Sequence, residues 1–173
     1  QARPPRWPMT RSDPPDAGPR ASRRPTLSLK GRALKYLAAR EHSRVELARK
    51  LAPHAESPEQ VSQVLDELEQ KGWLSAQRFA ESMLHRKAAR YGAARLKAEL
   101  AQHQLPAEVA SEATQTLRDT EFERAHALWV RRFGTPPETP EDKARQMRFL
   151  LGRGFASDVV RRVVRGDGLV TDA

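Results

Sequence analysis

Apolar residues recur along most of the chain at the spacing of one helix face. Val61, Val64, Leu65 and Leu68 follow the i, i+3, i+4, i+7 rule, which places all four on one side of an α-helix. No stretch shows the sustained apolar–polar alternation of a half-buried strand. The pattern therefore predicts an all-α chain with nine helices, near residues 28–40, 44–53, 58–71, 76–90, 93–103, 106–117, 121–133, 140–152 and 156–165.

Polar residues mark where several of these helices begin. Ser43, Ser57 and Thr120 each stand three residues before a Glu or Gln, the spacing of a capping box. Thr139 precedes an acidic residue in the same way. These four positions are predicted N-caps.

Glycines mark where helices end. Gly72, Gly92, Gly134 and Gly154 each follow a basic residue placed near the last predicted turn. Glycine closes helices in the left-handed conformation, and a base near the last turn meets the negative end of the helix dipole. We expect all four glycines to stop helices.

The helices repeat with a period near fifty residues. Segments 95–109 and 145–159 share an Arg, a Leu, a basic or His residue, a large apolar residue, an acid and a Val at a constant offset of 50. A looser match at offset 49 aligns Leu47 with Leu96 and Leu51 with Leu100. A repeat of this length is typical of helical arrays in which each unit covers its neighbour's open face. We predict an elongated array of three tandem three-helix units with a homeodomain-like plan, at residues 27–74, 75–118 and 119–166.

Composition adds a basic, polar character to this array. The chain of 173 residues has 31 Lys+Arg against 22 Asp+Glu, a formal net charge of +9, and no cysteine. The lack of cysteine excludes disulfides, thiolate zinc sites and a cysteine nucleophile. No apolar run is long enough to span a membrane. We expect a cytoplasmic protein, without membrane contact, whose partner is a polyanion such as nucleic acid.

The first 26 residues differ from the rest. They hold seven of the 13 prolines and six arginines, opposed only by Asp13 and Asp16. Such a segment buries too little apolar surface to offset its ordering entropy. The sequence predicts a disordered basic tail at 1–26 and a short C-terminal tail at 167–173.

Residues that could support catalysis are scattered. The five histidines form no metal-binding pair, and no glycine-rich phosphate loop is present. We therefore expect no enzymatic activity, no cofactor and no metal. Tyr91, Phe133, Trp73 and Trp129 could stack on bases, but their positions favour burial in the core.

Basic residues are the candidates for a binding surface. Arg95 follows directly after a predicted helix start, where the dipole disfavours a cation, so its position indicates an acidic partner in the fold or an external anion. Arg90, Arg132 and Arg153 have a simpler alternative, since each could serve only a helix C-terminus. The predicted residues of this polyanion-binding surface are Arg86, Lys87, Arg90, Arg95, Lys97, Arg132, Arg145, Arg148 and Arg153.

Four motifs in order resemble the RecX family, regulators of the recombinase RecA. They are the opening segment 28–51, the Lys71-Gly-Trp-Leu-Ser segment, the Arg90-Tyr-Gly segment and the Phe149-Leu-Leu-Gly-Arg-Gly-Phe segment. The resemblance covers roughly residues 28–166. Two positions depart from the usual pattern: His103-Gln104 stands where a Lys-Gly pair is frequent, and Ser75-Ala76 where acids are common. The first departure removes a cap glycine, while Ser75 can still cap a helix.

The resemblance implies a fold and a function. It implies three tandem three-helix repeats in an elongated molecule that binds RecA and the RecA filament on single-stranded DNA. It also implies inhibition of RecA's ATPase, strand-exchange and co-protease activities, and so a part in the SOS response, homologous recombination and DNA repair. We expect a monomer with weak, non-specific affinity for single- and double-stranded DNA. Whether it would lie in the filament groove or cap filament growth stays open.

Two rival functions remain at this point. A stand-alone DNA-binding regulator of the helix-turn-helix type would need base-reading side chains on a recognition helix, and the chain contains no Asn. A scaffold that binds no nucleic acid is disfavoured by the charge.

Overall fold

The computed structural model describes residues 26–168, and over that range it is helical without a strand. The predicted tail at 1–26 lies outside the described residues apart from Thr26, and of the predicted tail at 167–173 only Asp167 and Gly168 lie inside them. A single 3-10 turn, Ala52–His54, extends the second helix. The helices are α1 Leu29–Ala39, α2 Arg44–Leu51, α3 Pro58–Gln70, α4 Ala76–Lys87, α5 Ala93–Ala101, α6 Ala107–Asp119, α7 Glu121–Arg132, α8 Pro140–Gly152 and α9 Ser157–Arg165.

Each consecutive trio of helices packs around its own apolar cluster. Leu47, Leu51 and Leu65 are buried among α1–α3. Phe79 and Leu96 are buried among α4–α6, and a third cluster joins α7–α9. The predicted all-α array of three three-helix units is confirmed, whereas the boundaries at 27–74, 75–118 and 119–166 stay a prediction.

The predicted helix starts are confirmed at Ser43, Ser57 and Thr139, whose side chains accept hydrogen bonds from backbone N–H groups in the first turn. Ser43 completes a full capping box with Glu46. Thr120 is the N-cap residue of α7, as predicted, but its side chain makes no capping hydrogen bond. Its hydroxyl donates to the Thr116 carbonyl, 2.8 Å away, because α7 follows α6 with only this residue between them.

Three of the four predicted helix-ending glycines, Gly72, Gly134 and Gly154, have the expected left-handed φ. Gly92 does not. Its φ of −79° is open to any residue, and it is the N-cap of α5. Gly92 is required for packing instead, since a Cβ there would lie 2.2 Å from the Gly154 carbonyl carbon.

Each joint between consecutive units is formed by one residue at the start of the second helix of a unit and one residue just after the second helix of the next unit. At the first joint, Ser43 Oγ lies 2.7 Å from His103 Nδ1. At the second, the Gly92 N–H donates to the Arg153 carbonyl over 2.8 Å. These pairs are equivalent at offsets of 49 and 50, so the sequence repeat corresponds to a repeated joint.

Candidate functional site

Five of the predicted basic residues meet three aromatic rings on a surface that spans the second joint. We call this surface the arginine–aromatic ladder. The guanidinium carbons lie 3.9 to 5.9 Å from the ring centroids, within the range of cation–π attraction. Its members are Arg90, Arg95, Arg132, Arg145 and Arg153 with Tyr91, Phe133 and Phe149.

The contacts are shared, so the ladder is continuous. Arg153 lies 5.7 Å from the Tyr91 ring and 5.2 Å from the Phe149 ring, which links the second unit to the third. Phe149 then meets Phe133 edge-on, with centroids 5.5 Å apart. Because each ring is half buried and faces arginines, the ladder presents guanidinium groups rather than open ring faces. Tyr91 and Phe133 were predicted to be buried in the core, but both are only half buried and pack against the edges of the second and third clusters.

The ladder carries little compensating negative charge. Among residues 26–168, only Arg145 of its five arginines has a carboxylate within 4 Å, that of Asp142 at 3.5 Å. Arg95 contacts the Tyr91 ring at 3.9 Å, and no carboxylate among residues 26–168 forms an ion pair with it. The cation at the start of α5 therefore rests on an aromatic ring, a partner that the sequence analysis did not name, and the external anion stays a prediction.

Buried polar groups from α7 hold the two halves of the ladder together. The Glu121 carboxylate is only 6% exposed and accepts from the Ala93 N–H at 3.3 Å and the Ala156 N–H at 3.0 Å. One carboxylate thus meets the positive N-termini of both α5 and α9.

Arg124 stabilises the connection between α4 and α5. Its guanidinium donates to the carbonyls of Ala88, Tyr91 and Leu117 over 2.6 to 2.7 Å. Burial lowers the pKa of Arg124. Sequence inspection missed Glu121 and Arg124, because their partners are backbone groups far away in the chain and no motif marks them.

None of the other four predicted residues lies over a ladder ring in the described part of the chain. Lys97 is about 200° around α5 from Arg95 and lines an alanine-rich groove with Arg118. Lys87 pairs with Glu99. Arg86 donates to the Ser82 carbonyl of its own helix over 3.3 Å, and Arg148 is exposed on α8.

The first joint has a different electrostatic character. Glu46, the counterpart of Arg95 at offset 49, lies 3.7 Å from His103. Desolvation on burial lowers the pKa of His103, and also that of His42 in the same joint. Lys50 Nζ lies 2.8 Å from His42 Nε2, a donor position that suits a neutral imidazole. Neutral histidines and an acid that is paired with Arg40 over 2.6 Å therefore occupy the first joint, where the second joint has arginines without such a pair.

Two further aromatic residues were predicted to be core. Trp129 is fully buried and donates to Gln146 Oε1 over 2.8 Å. Trp73 is 45% exposed, so that prediction is wrong. It follows the left-handed Gly72, and Lys30 and Lys71 lie over its ring at 5.7 and 5.2 Å.

No group of three or more potential metal ligands occurs between residues 26 and 168. Within that range no helix has the length and hydropathy needed to cross a bilayer.

Comparison with known proteins gives consistent matches over the array. Models of the first, second and third three-helix domains of RecX match residues 30–68, 77–113 and 119–164. A regulatory protein RecX from Leptothrix cholodnii is 59% identical over 145 residues, covering 84% of this chain and 92% of that protein. One from Ralstonia pickettii is 55% identical, covering 86% and 94%. The crystal structure of RecX from Lactobacillus salivarius superposes with a TM-score of 0.67 at 18% identity, covering 82% of this chain and 96% of that one.

Proposed function

Because this chain belongs to the RecX family, we propose that it binds RecA and the RecA filament on single-stranded DNA and restrains that filament. The restrained activities are ATP hydrolysis, strand exchange and co-protease function. This proposal places the protein in the cytoplasm, in the regulation of homologous recombination and the SOS response, and it requires no catalysis by the protein itself.

The arginine–aromatic ladder is the observation that supports this proposal most directly. Its four arginines without a nearby carboxylate, Arg90, Arg95, Arg132 and Arg153, can take the phosphates of filament DNA or acidic groups of RecA. Phosphate contacts position a protein without reading sequence, which suits a partner that coats any DNA. Since the guanidinium groups already pack on ring faces, they lose less rotational freedom when an anion binds than free arginines would.

The ladder does not favour a sequence-specific regulator. Direct reading needs side chains that reach base edges in a groove, and the ladder residues are distributed over two units and three connections rather than along one recognition helix. Weak, non-specific binding to naked single- and double-stranded DNA is therefore the expected secondary property.

A charge-reversal pair tests the proposal. Arg95→Glu with Arg153→Glu changes the ladder by four charges, and Lys97→Glu with Arg118→Glu makes the same change in the alanine-rich groove on the other side of α5. We expect the first variant to lose suppression of RecA's DNA-dependent ATPase and the second to retain it. Circular dichroism of both variants checks that they remain helical.

The outcome separates the candidate functions. Full inhibition by the folded ladder variant would contradict the assignment of this surface. Co-sedimentation then separates the remaining possibilities: tighter binding to naked single-stranded DNA than to RecA filaments would favour a stand-alone DNA-binding protein.

A further inference from the structure

A second basic surface lies on the third unit, between α8, α9 and the loop that precedes α8. It is a groove of about 620 Å³. Its apolar floor includes Pro136, Pro137 and Met147. Four basic side chains and a single acid, Asp158, complete the lining; the bases are Lys143, Arg161, Arg162 and Arg165.

This groove is separate from the ladder although α8 contributes to both. Lys143 and Met147 are four residues apart and share one face of α8, which lines the groove. Arg145 and Phe149 have the same spacing on the face that joins the ladder. The two faces are about 200° apart on the helix, so the groove needs an explanation of its own.

The chain itself shows which anion these bases accept. The Asp167 carboxylate, just after α9, forms a two-point contact with Arg165 over 2.9 and 2.5 Å and lies 3.9 Å from Arg162. The hydrogen bonds from Arg165 hold the pKa of Asp167 below its usual value. Because the pair is exposed, it is worth little, and a competing carboxylate can displace Asp167.

We propose that this groove binds an acidic peptide segment of a protein partner. Carboxylates of the segment would pair with Lys143, Arg161 and the two arginines that Asp167 now occupies, while an apolar side chain packs on Met147 and the prolines. The apolar floor favours a peptide over nucleic acid, since a phosphate backbone carries no apolar group to bury there. This inference goes beyond the proposed function and does not depend on it.

Fluorescence anisotropy with the full chain tests this proposal. The probe is a short fluorescein-labelled peptide of aspartates and leucines, with two matched peptides in which asparagine replaces every aspartate or serine replaces every leucine. We expect saturable binding of the first peptide and at least tenfold weaker binding of the other two. The Lys143→Glu, Arg161→Glu variant should lose at least tenfold in affinity, whereas the Arg95→Glu, Arg153→Glu ladder variant should bind as the parent does.

Asp167→Asn gives the sharper test, because it removes the internal competitor and leaves the basic residues in place. We expect it to bind the acidic peptide about two- to fivefold more tightly, the range that an exposed ion pair is worth. Unchanged or weaker binding by this variant would overturn the proposal. So would full affinity in the Lys143→Glu, Arg161→Glu variant. Equal binding of the serine-substituted peptide, with displacement by oligo(dT), would show a general phosphate site instead.

Discussion

The close approach of Gly92 to Gly154 makes a quantitative prediction for Gly92→Ala. Alanine can adopt the φ of −79° and ψ of 169° found at this residue, so the substitution introduces no conformational strain. Its Cβ would lie 2.2 Å from the Gly154 carbonyl carbon and oxygen and 2.3 Å from the Phe155 nitrogen. All three are backbone atoms, which cannot move aside as a flexible side chain can, so the two units must separate.

The expected cost combines two terms. Overpacking of a well-filled contact costs about 1–3 kcal/mol. Separation also breaks the 2.8 Å hydrogen bond from the Gly92 N–H to the Arg153 carbonyl, which adds about 0.5–1.5 kcal/mol. We therefore expect Gly92→Ala to lower the free energy of unfolding by about 2–4 kcal/mol. Gly152→Ala is the matched control, because no atom lies within 4 Å of its Cβ position and alanine favours the helix by up to about 1 kcal/mol.

Urea unfolding followed by circular dichroism measures the stability of both variants. The same proteins are then titrated into the RecA ATPase assay, where Gly92→Ala should inhibit less because Tyr91 and Arg153 no longer share one surface. A loss below about 1 kcal/mol, no more than a routine substitution costs, would refute the argument that the two backbones are in direct contact. Equal destabilisation by Gly152→Ala would refute it as well.

Three further predictions concern other parts of the array. Gln104 has a left-handed φ of 48°, so Gln104→Gly should relieve a conformational cost of about 1–2 kcal/mol. The greater chain entropy of glycine in the unfolded state offsets part of this gain. We expect a higher midpoint in urea unfolding. Binding to naked single-stranded DNA should give a slope of about −2.8 in log K against log salt if the four ladder arginines without a nearby carboxylate each meet a phosphate. Arg95→Gln should reduce that slope by about 0.7, and a slope near zero would contradict phosphate binding. The pKa of His103 lies below 6.5 in the folded chain, so the unfolded chain binds a proton first as the pH falls. The contribution of His103 to the free energy of unfolding should therefore be full above pH 6.5 and be lost as the pH drops through the folded pKa. His103→Asn should flatten this pH dependence of the free energy of unfolding, as measured by urea titrations.

Helix positions were predictable because their signals are local. Ser43 and Glu46 are three residues apart and cap the same turn that their spacing indicates. Where the deciding contact is distant, local signals misled. Gly92 resembles a helix stop in sequence, but its partner is Gly154 in the next unit. Trp73 has the large apolar side chain of a typical core residue, but it follows the left-handed turn at Gly72 and lies at the surface.

The candidate site was predictable only in part, for the same reason. The dipole argument for Arg95 is local, and it predicted an acidic partner or an external anion. The structure gives the Tyr91 ring at 3.9 Å as the neighbour of Arg95, and the external anion stays a prediction. The contact between Arg153 and the Tyr91 ring depends on how two units meet, which single-chain periodicity does not specify. Lys97 is only two residues from Arg95, but on a helix that spacing points to a different face.

The two joints show how one architecture can carry different chemistry. Equivalent positions of the repeat meet at both, and the aligned leucines, Leu47 and Leu96, are both fully buried in their own clusters. The side chains beside them differ: Glu46 lies near His103 at the first joint, whereas Arg95 shares the Tyr91 ring with Arg153 at the second. The Glu46 carboxylate is satisfied within the fold by Arg40, 2.6 Å away, but two guanidinium groups on one ring leave positive charge for an external partner. The apolar repeat therefore explains why the units stack, and the residues that break the repeat locate the candidate binding surface on the second joint rather than the first.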